Sequence, residues 1–159
     1  MTFIADCMLG RLARWLRILG FDVLYFPRIG DDELLNIAKK ESRALLTRDT
    51  GLYERSRGVS RLLIESEDWE KQVVQVLRAF GLGGKVDPHT RCLDCNRPLK
   101  SLSMENARNL VSPFVFERAE SFALCPECGR VFWKGTHFKD MEAKVARILK
   151  AIENSGSPE

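Results

Sequence analysis

Two cysteine pairs in the second half of the chain constrain its fold more than any other feature. They are Cys92-Leu-Asp-Cys95 and Cys125-Pro-Glu-Cys128, and each places two thiols in one short turn. Two such turns supply the four thiolates of a tetrahedral Zn²⁺ site, so we predict that these cysteines bind a structural Zn²⁺ ion. Because a four-thiolate site leaves no coordination position open, catalysis must be sought elsewhere in the chain.

Disulfide bonds or free buried thiols are the alternative for these cysteines. The sequence shows no signal-peptide pattern, so we expect a cytoplasmic protein, in which thiols bind metal more often than they form disulfides. With 45% hydrophobic and 30% charged residues, the composition is that of a soluble globular protein, and no apolar run is long enough to cross a membrane. The net charge of +3 is only mildly basic, so any site for a polyanion must come from local patterns.

Short apolar strands alternate with amphipathic helices over the first half of the chain. Strands are predicted at 2–6, 22–26, 44–47 and 61–64, and helices at 9–20, 31–41, 51–57 and 69–80. Asp31 and Asp68 are the expected N-caps of the second and fourth helices. The alternation indicates an α/β fold, a doubly wound parallel sheet with helices on both faces, over residues 1–84.

The pattern changes after Gly83-Gly84 and Pro88, which mark a boundary. Residues 88–138 combine the four cysteines with short β segments at 114–116, 122–124 and 131–133, as in a zinc ribbon. A terminal helix, with one apolar face over about 140–152, forms a third segment at 139–153. Residues 155–159 are expected to be a frayed tail.

Acidic residues accompany the predicted strand ends. Asp6 ends the first strand, Asp49 follows the third, and Asp31 and Asp32 open the helix after the second. Ligand sites of open α/β sheets lie at the carboxyl ends of the strands, so we expect these acids to converge there. Mutually repelling carboxylates need a cation, and Mg²⁺ or Mn²⁺ fits this ligand set. Such an ion activates water and orients a phosphodiester.

Each acid also has a purely structural alternative. Asp31 and Asp49 are good helix caps, and Asp32 suits the first turn of a helix through its dipole. Only Asp6 lacks such an explanation, because a carboxylate at the end of a buried strand needs a partner.

Arginines are concentrated beside these acids. Arg11, Arg14 and Arg17 recur every third residue, opposite the leucine face of the first helix, and Arg48 precedes Asp49. Guanidinium groups bind phosphate oxygens well, so we predict that Arg11, Arg14 and Arg48 contact phosphate groups. The alternative is an ordinary solvated helix face.

Four segments match one known family: the run from Phe3 to Asp22, the segment Asp31-Asp32-Glu-Leu-Leu, the motif Leu-Leu-Thr-Arg before Asp49, and the run from Cys125 to His137. Over nearly its whole length the chain resembles the Mut-seven C-terminal RNase family. The resemblance implies a PIN-like nuclease domain followed by a zinc ribbon, and a metal-dependent ribonuclease. It also implies that the phosphate groups contacted by Arg11, Arg14 and Arg48 are those of RNA.

The family pattern can be carried over to individual acids. Asp6 and Asp49 match its strand-end acids, and Asp31 or Asp32 matches its helix-borne acid. Many PIN nucleases carry another acid shortly after the third-strand aspartate, but Gly51 and Leu52 stand there. The number of catalytic metal ions is therefore left open.

The ribbon is expected to extend the RNA-binding surface beside the nuclease edge. Trp133 and His137 lie in a Trp-Lys-Gly-Thr-His segment, where an aromatic ring and an imidazole can stack on the bases of single-stranded RNA. The alternative is that Trp133 packs on the zinc turns and His137 begins the last helix.

Two other functional classes fit parts of the pattern. A phosphoacceptor receiver domain requires a second acid beside Asp6 and a lysine after the last strand, whereas Cys7 and Glu65-Ser66 stand there. A catalytically silent RNA-binding module, in which the acids are caps and the ribbon binds RNA, remains the main alternative. A nuclease assay with Asp6→Asn separates it from an enzyme.

Overall fold

The computed structural model describes residues 1–154, and the expected tail at 155–159 lies outside them. The first half contains β1 (Thr2–Ala5), a 3₁₀ turn (Cys7–Leu9), α1 (Gly10–Ile18), β2 (Asp22–Tyr25), α2 (Asp31–Lys40), β3 (Ala44–Thr47), α3 (Thr50–Arg55), β4 (Arg61–Leu63) and α4 (Trp69–Ala79). The second half contains a 3₁₀ turn (Gly83–Lys85), β5 (Lys100–Leu102), α5 (Met104–Ala107), α6 (Pro113–Arg118), β6 (Phe122–Leu124), β7 (Val131–Trp133) and α7 (Thr136–Glu153).

A four-stranded parallel sheet in the order β2-β1-β3-β4 forms the centre of the first half. Side chains alternate across it: Phe3 and Leu46 join the core beneath α1 and α4, whereas Ile4 packs with α2 and α3 on the other face. The expected doubly wound α/β fold is confirmed. The strand order reverses between β1 and β3, which is the point where open α/β sheets form a ligand-binding crevice at the carboxyl ends of their strands.

The last helix returns to the first half of the chain. Val145 and Ile148 of α7 are buried in the same core as Leu77 of α4, and Arg147 bonds Glu70 at 2.5 Å. The helix begins at Thr136, one turn earlier than predicted, so that Phe138 also lies within it.

The cysteine-bearing half contains an antiparallel sheet in the order β5-β6-β7. The predicted strand at 114–116 is wrong, because these residues lie in α6. Pro113 opens this helix, and the Ser112 hydroxyl accepts the Val115 N–H at 3.3 Å, so capping outweighs the strand propensity of Phe-Val-Phe. The strand β5 was not predicted.

The predicted cap of α2 is also wrong. Gly30, not Asp31, is the N-cap, and Asp31 is the first helical residue. Asp68, in contrast, does cap α4, because its carboxylate accepts the Glu70 N–H at 2.8 Å.

Arg17 joins the two halves of the molecule and does not belong to a solvated stripe. It is buried, and its Nε and Nη2 donate to the carbonyl oxygen of Val23 in β2 at 3.0 and 2.9 Å. Its Nη1 donates to the carbonyl oxygens of Leu93 and Asp94 at 2.7 and 3.2 Å. Since Leu93 and Asp94 lie between Cys92 and Cys95, one guanidinium holds the first cysteine turn against the sheet.

Asn96, the residue after Cys95, completes this junction. Its Oδ1 accepts the Val23 N–H at 3.0 Å, and its Nδ2 donates to Asp22 Oδ1 at 2.8 Å. Desolvation raises the pKa of Asp22, but hydrogen bonds from Arg43 and Asn96 outweigh it and keep the pKa below its usual value. The edge strand β2 is therefore covered by the first cysteine turn rather than left open to other chains.

Replacing Asn96 by glycine is expected to loosen this junction while preserving the turn. Asn96 has a φ of 60°, which glycine adopts freely, but glycine cannot bond the Val23 N–H. Asn96→Gly should lower the free energy of unfolding by about 1–3 kcal/mol, the usual cost of a buried group left unsatisfied. Urea denaturation measures this loss, and elemental analysis should still find about one zinc ion per chain.

The matched control is Gly129→Asn, which stands at the equivalent position after Cys128, with a φ of 70°. Asparagine tolerates this conformation, so the control should change stability little. Unchanged stability of Asn96→Gly, or loss of its zinc, would contradict the assigned role of Asn96.

Candidate active site and zinc site

Asp6 lies at the carboxyl end of β1, where its side chain is 4% exposed. Its Oδ1 accepts the Met8 N–H at 2.8 Å, and its Oδ2 accepts both the Thr47 hydroxyl and the Arg48 N–H, the latter at 3.1 Å. A carboxylate oxygen has two lone pairs, so Oδ2 is fully engaged and Oδ1 keeps one lone pair for another ligand. Oδ1 is thus the atom of Asp6 that is able to bind a cation.

Thr47 connects the two strand-end acids, and sequence reasoning missed it. This fully buried residue ends β3, donates its hydroxyl proton to Asp6 and accepts the Asp49 N–H at 3.0 Å. The signal was a hydroxyl at the end of a buried apolar strand, because such a group needs partners. Thr47 thereby fixes both acids relative to each other.

Asp49 is the N-cap of α3, so one of its two carboxylate oxygens has the structural role of a helix cap. Oδ1 accepts the Leu52 N–H at 2.8 Å, whereas Oδ2 has no hydrogen bond to any residue between 1 and 154. A Cβ at Gly51 would lie 3.1 Å from Asp49 Oδ1. A side chain at position 51 would therefore require this carboxylate to shift by a few tenths of an ångström.

Asp31 and Asp32 form a separate pair in the first turn of α2. Arg55 of α3 bridges both, at 3.0 Å to Asp31 Oδ2 and with a shorter contact to Asp32 Oδ1. Their side chains are half and almost fully exposed. Among the described residues, only the cysteines form a group of three or more potential ligands within 4.8 Å of one another, so the four acids are not gathered into such a group.

The predicted phosphate-binding arginines have three different environments. The Arg48 guanidinium bonds Glu67 at 3.2 Å, and Arg11 lies over the Trp69 ring with 5.1 Å to its centroid. Trp69 in turn stacks on Trp15. Arg14 is exposed on the same helix as Arg11, so both of these guanidinium groups face solvent.

The four cysteine sulfurs are arranged as a zinc site requires. All lie within 4.8 Å of one another, and Cys92 Sγ is 3.9 Å from Cys128 Sγ. A tetrahedral ion with Zn–S bonds of 2.3 Å separates its sulfurs by about 3.8 Å. The residues present therefore fit Zn²⁺ without rearrangement.

The two cysteine turns repeat one backbone pattern. In each, the first cysteine donates its N–H to the carbonyl oxygen five residues on, Cys92 to Arg97 at 2.8 Å and Cys125 to Arg130 at 2.9 Å. Arg97 pairs with Glu127 of the opposite turn at 3.6 Å, and Arg130 pairs with Asp94. These reciprocal ion pairs hold the turns face to face.

The thiols differ in acidity when no metal is bound. Burial raises the pKa of Cys125, but backbone N–H groups of Cys128 and Glu127 outweigh it and bring the pKa to about 7. Hydrogen bonding to Cys128 raises the pKa of Cys95 to about 12, and burial raises that of Cys92. Zn²⁺ must displace protons from most of these thiols, so its affinity falls as the pH is lowered.

The predicted RNA contacts of the ribbon lie close together in the chain. Trp133 ends β7 with 44% of its surface exposed, and the exposed His137 lies in the first turn of α7. His137 therefore belongs to the last helix, as the alternative to an RNA contact predicted. The helical position leaves its imidazole accessible.

Comparison with known families decides the family of the protein. The family model described as the Mut7-C RNAse domain matches residues 1–145. The chain belongs to this family. The match includes the sheet with Asp6 and Asp49, the cysteine turns and the start of α7, and it gives the protein an RNase-type domain. No curated protein and no solved structure matches the chain significantly.

The helices were also compared with the requirements of a membrane span. Within residues 1–154, no helix combines the length and apolar character that crossing a bilayer requires.

Removal of zinc is expected to loosen the second half and the sheet edge that it covers. The cysteine turns bury little apolar surface, so metal binding supplies much of their folding free energy. We expect about one zinc ion per chain by elemental analysis. A chelator should abolish hydrogen-exchange protection of Cys125 and reduce that of Val23, which bonds Asn96.

The internal control is Leu45 in the centre of the sheet, whose amide should stay protected. A zinc content near zero, or equal protection with and without chelator, would contradict this prediction.

Proposed function

We propose that the protein is a metal-dependent ribonuclease whose active site is the crevice between β1 and β3. The observation that carries the proposal is the pairing of Asp6 and Asp49 through Thr47 at the point where the strand order reverses. Membership of an RNase family supports RNA as the substrate class. In this proposal residues 1–84 are the nuclease domain, 88–138 the zinc ribbon and 139–153 the helix that returns to the nuclease core.

The two acids have complementary free positions for a cation. Asp6 offers one lone pair on Oδ1, and Asp49 offers Oδ2 while its Oδ1 keeps α3 in place. Mg²⁺ or Mn²⁺, when bound there, supplies activation of water and neutralises charge on the phosphodiester. Thr47 and the Arg48 N–H fix the other oxygen of Asp6, so that the carboxylate does not turn away.

Asp31 or Asp32 is proposed as the third carboxylate. Both are held by Arg55, so a cation at the crevice must compete with this guanidinium for either acid. Asp31 is the less exposed of the two. Arg55 thus compensates part of the negative charge of this pair.

Cationic side chains near the crevice are proposed to hold the RNA backbone. Arg11 and Arg14 are exposed on α1, which begins just after the Asp6 turn, and Arg48 lies between the two acids in the chain. Arg48 bonds the highly exposed Glu67, and such surface pairs contribute little energy, so phosphate can replace this partner.

One observation favours the second candidate, a catalytically silent RNA-binding module. Each of the four acids already has a structural partner: Asp49 caps α3, Asp31 and Asp32 pair with Arg55, and Asp6 accepts three hydrogen bonds. In that case RNA binding would persist without cleavage. The following experiment separates the two functions.

Asp49→Asn is expected to abolish RNA cleavage while leaving the protein folded. Asparagine caps a helix as well as aspartate does, so α3 is kept, but the charge that a cation requires is lost. Turnover of labelled single-stranded RNA with Mn²⁺ should fall more than about 100-fold, since losing groups that merely orient metal ligands already costs 10- to 100-fold. Mn²⁺ binding should weaken in parallel.

Asp68→Asn provides the matched control, because it makes the same change at the N-cap of α4 and should retain activity. Asp6→Asn should also be inactive, but its new NH₂ group cannot accept the Met8 N–H, so a thermal melt must accompany it. Free Mn²⁺ is varied without a chelator, which would strip the zinc. Equal cleavage by wild type and both site variants would overturn the proposal.

Arg11→Ala with Arg14→Ala is expected to weaken RNA binding and its dependence on salt. Each phosphate contact on a single strand contributes about 0.7 to the slope of log affinity against log salt. Losing two contacts should reduce the slope by about 1.4 and weaken binding of all sequences alike. Fluorescence anisotropy at several salt concentrations measures both effects.

Lys39→Ala with Lys40→Ala removes the same charge from the far end of α2, at the opposite edge of the sheet. This control should keep the wild-type slope. If the arginine and lysine variants behave alike, Arg11 and Arg14 form an ordinary solvated face.

A further inference from the structure

The ribbon exposes aromatic surface that the nuclease site does not use. Phe114, in α6, is 64% exposed, more than any other large apolar side chain among residues 1–154, and Trp133 is 44% exposed. Exposed rings of this size in one region mark a binding surface more often than a folding requirement. Both rings border the same groove, of about 850 Å³, between α6, β7 and α7.

Each side of the groove pairs an aromatic ring with a cation. The Arg118 guanidinium lies 3.7 Å from the centroid of Phe114, and Lys134 Nζ lies 5.1 Å from that of Phe138. Aromatic faces supported by cations are the groups on which unpaired bases stack. The groove therefore offers stacking faces with nearby positive charge.

The indole of Trp133 lies close to the backbone at residue 135. Its Nε1 lies 3.2 Å from the point where a Cβ at residue 135 would stand, so the indole fits because that residue is Gly135. A smaller pocket, of about 140 Å³, adjoins the other side of Trp133 and Phe138. His89 lines it, and its Nε2 is buried without a hydrogen-bond partner among the described residues.

We propose that the groove between α6, β7 and α7 binds unpaired bases of single-stranded RNA by stacking on Trp133 and Phe114. This inference rests on the proposed ribonuclease function for the identity of the nucleic acid. Duplex RNA does not fit, because its bases are already stacked and turned inward.

Charge within the groove favours stacking over phosphate binding as the source of affinity. Arg118, Lys134 and Lys139 line it, but Glu120 and Glu142 line it as well. The net charge is only weakly positive, so few counterions are released on binding. The groove and the arginines of α1 are therefore distinguishable by their response to salt.

Anisotropy of a labelled single-stranded RNA tests the proposal, with zinc-loaded full-length protein in buffer without Mg²⁺ or Mn²⁺, so that no cleavage occurs. Trp133→Ala and Phe114→Ala should each weaken binding about 5- to 150-fold, the range for loss of one stacked base. The slope against salt should stay that of wild type. Trp133→Phe, which keeps a stacking face, should recover most of the affinity.

Met104→Ala is the control, because Met104 is as exposed as Trp133, at 44%, but does not line the groove. It should bind as wild type does. A duplex of the same sequence should bind more weakly than the single strand and be insensitive to Trp133→Ala.

Two results would overturn the groove as an RNA site. One is that Trp133→Ala and Phe114→Ala bind the single strand as tightly as the wild type does. In that case an apolar segment of a partner protein would fit the groove better than RNA. The other is an equal loss of duplex and single-strand binding, which would indicate a damaged fold.

A failure of the groove proposal is distinguishable from a failure of the nuclease proposal. RNA that binds through Trp133 but is never cleaved would refute the ribonuclease and leave the groove standing. If cleavage requires Asp49 but RNA binding is unchanged in Trp133→Ala and Phe114→Ala, the groove is refuted and the ribonuclease proposal is kept.

Discussion

The relation between the two halves of the molecule depends on one buried guanidinium. Arg17 bonds the carbonyl oxygen of Val23 in the edge strand and two carbonyl oxygens inside the first cysteine turn. A buried charge is tolerated only where hydrogen bonds replace its hydration, and here backbone oxygens of both halves supply them. Neither half satisfies Arg17 alone, so the metal site and the sheet are stable as a unit.

At the carboxyl ends of β1 and β3, side chains that stabilise the fold also keep atoms free to bind a cation. Asp6 orders the turn after β1, Asp49 begins α3, and Thr47 satisfies both. Each acid uses some of its lone pairs for folding and leaves another free. This arrangement keeps ionised carboxylates in fixed positions, which a loose pair of acids on flexible loops would not provide.

Much of this architecture could be predicted from local signals in the sequence. The alternation of apolar strands and amphipathic helices predicted the parallel sheet, and the spacing of the cysteines predicted their convergence. Local signals failed where a tertiary contact decided the outcome. The periodicity of Arg17 is that of a surface residue, and only the cysteine turn placed against it makes it buried. Likewise, the hydroxyl of Thr47 at the end of a buried strand indicated a need for partners but not that these are Asp6 and Asp49. Ser112 with Pro113 imposed a helix on a segment of strand-forming residues.

The return of α7 to α4 brings the two ends of the cysteine-bearing segment together. The residues between Ala79 and Thr136 form a closed loop, since both of its ends enter the same apolar core. A break in the backbone within that loop would therefore leave two fragments that pack together through Val76, Leu77, Val145 and Ile148. The carboxyl ends of β1 and β3, which lie outside the loop, would stay in place.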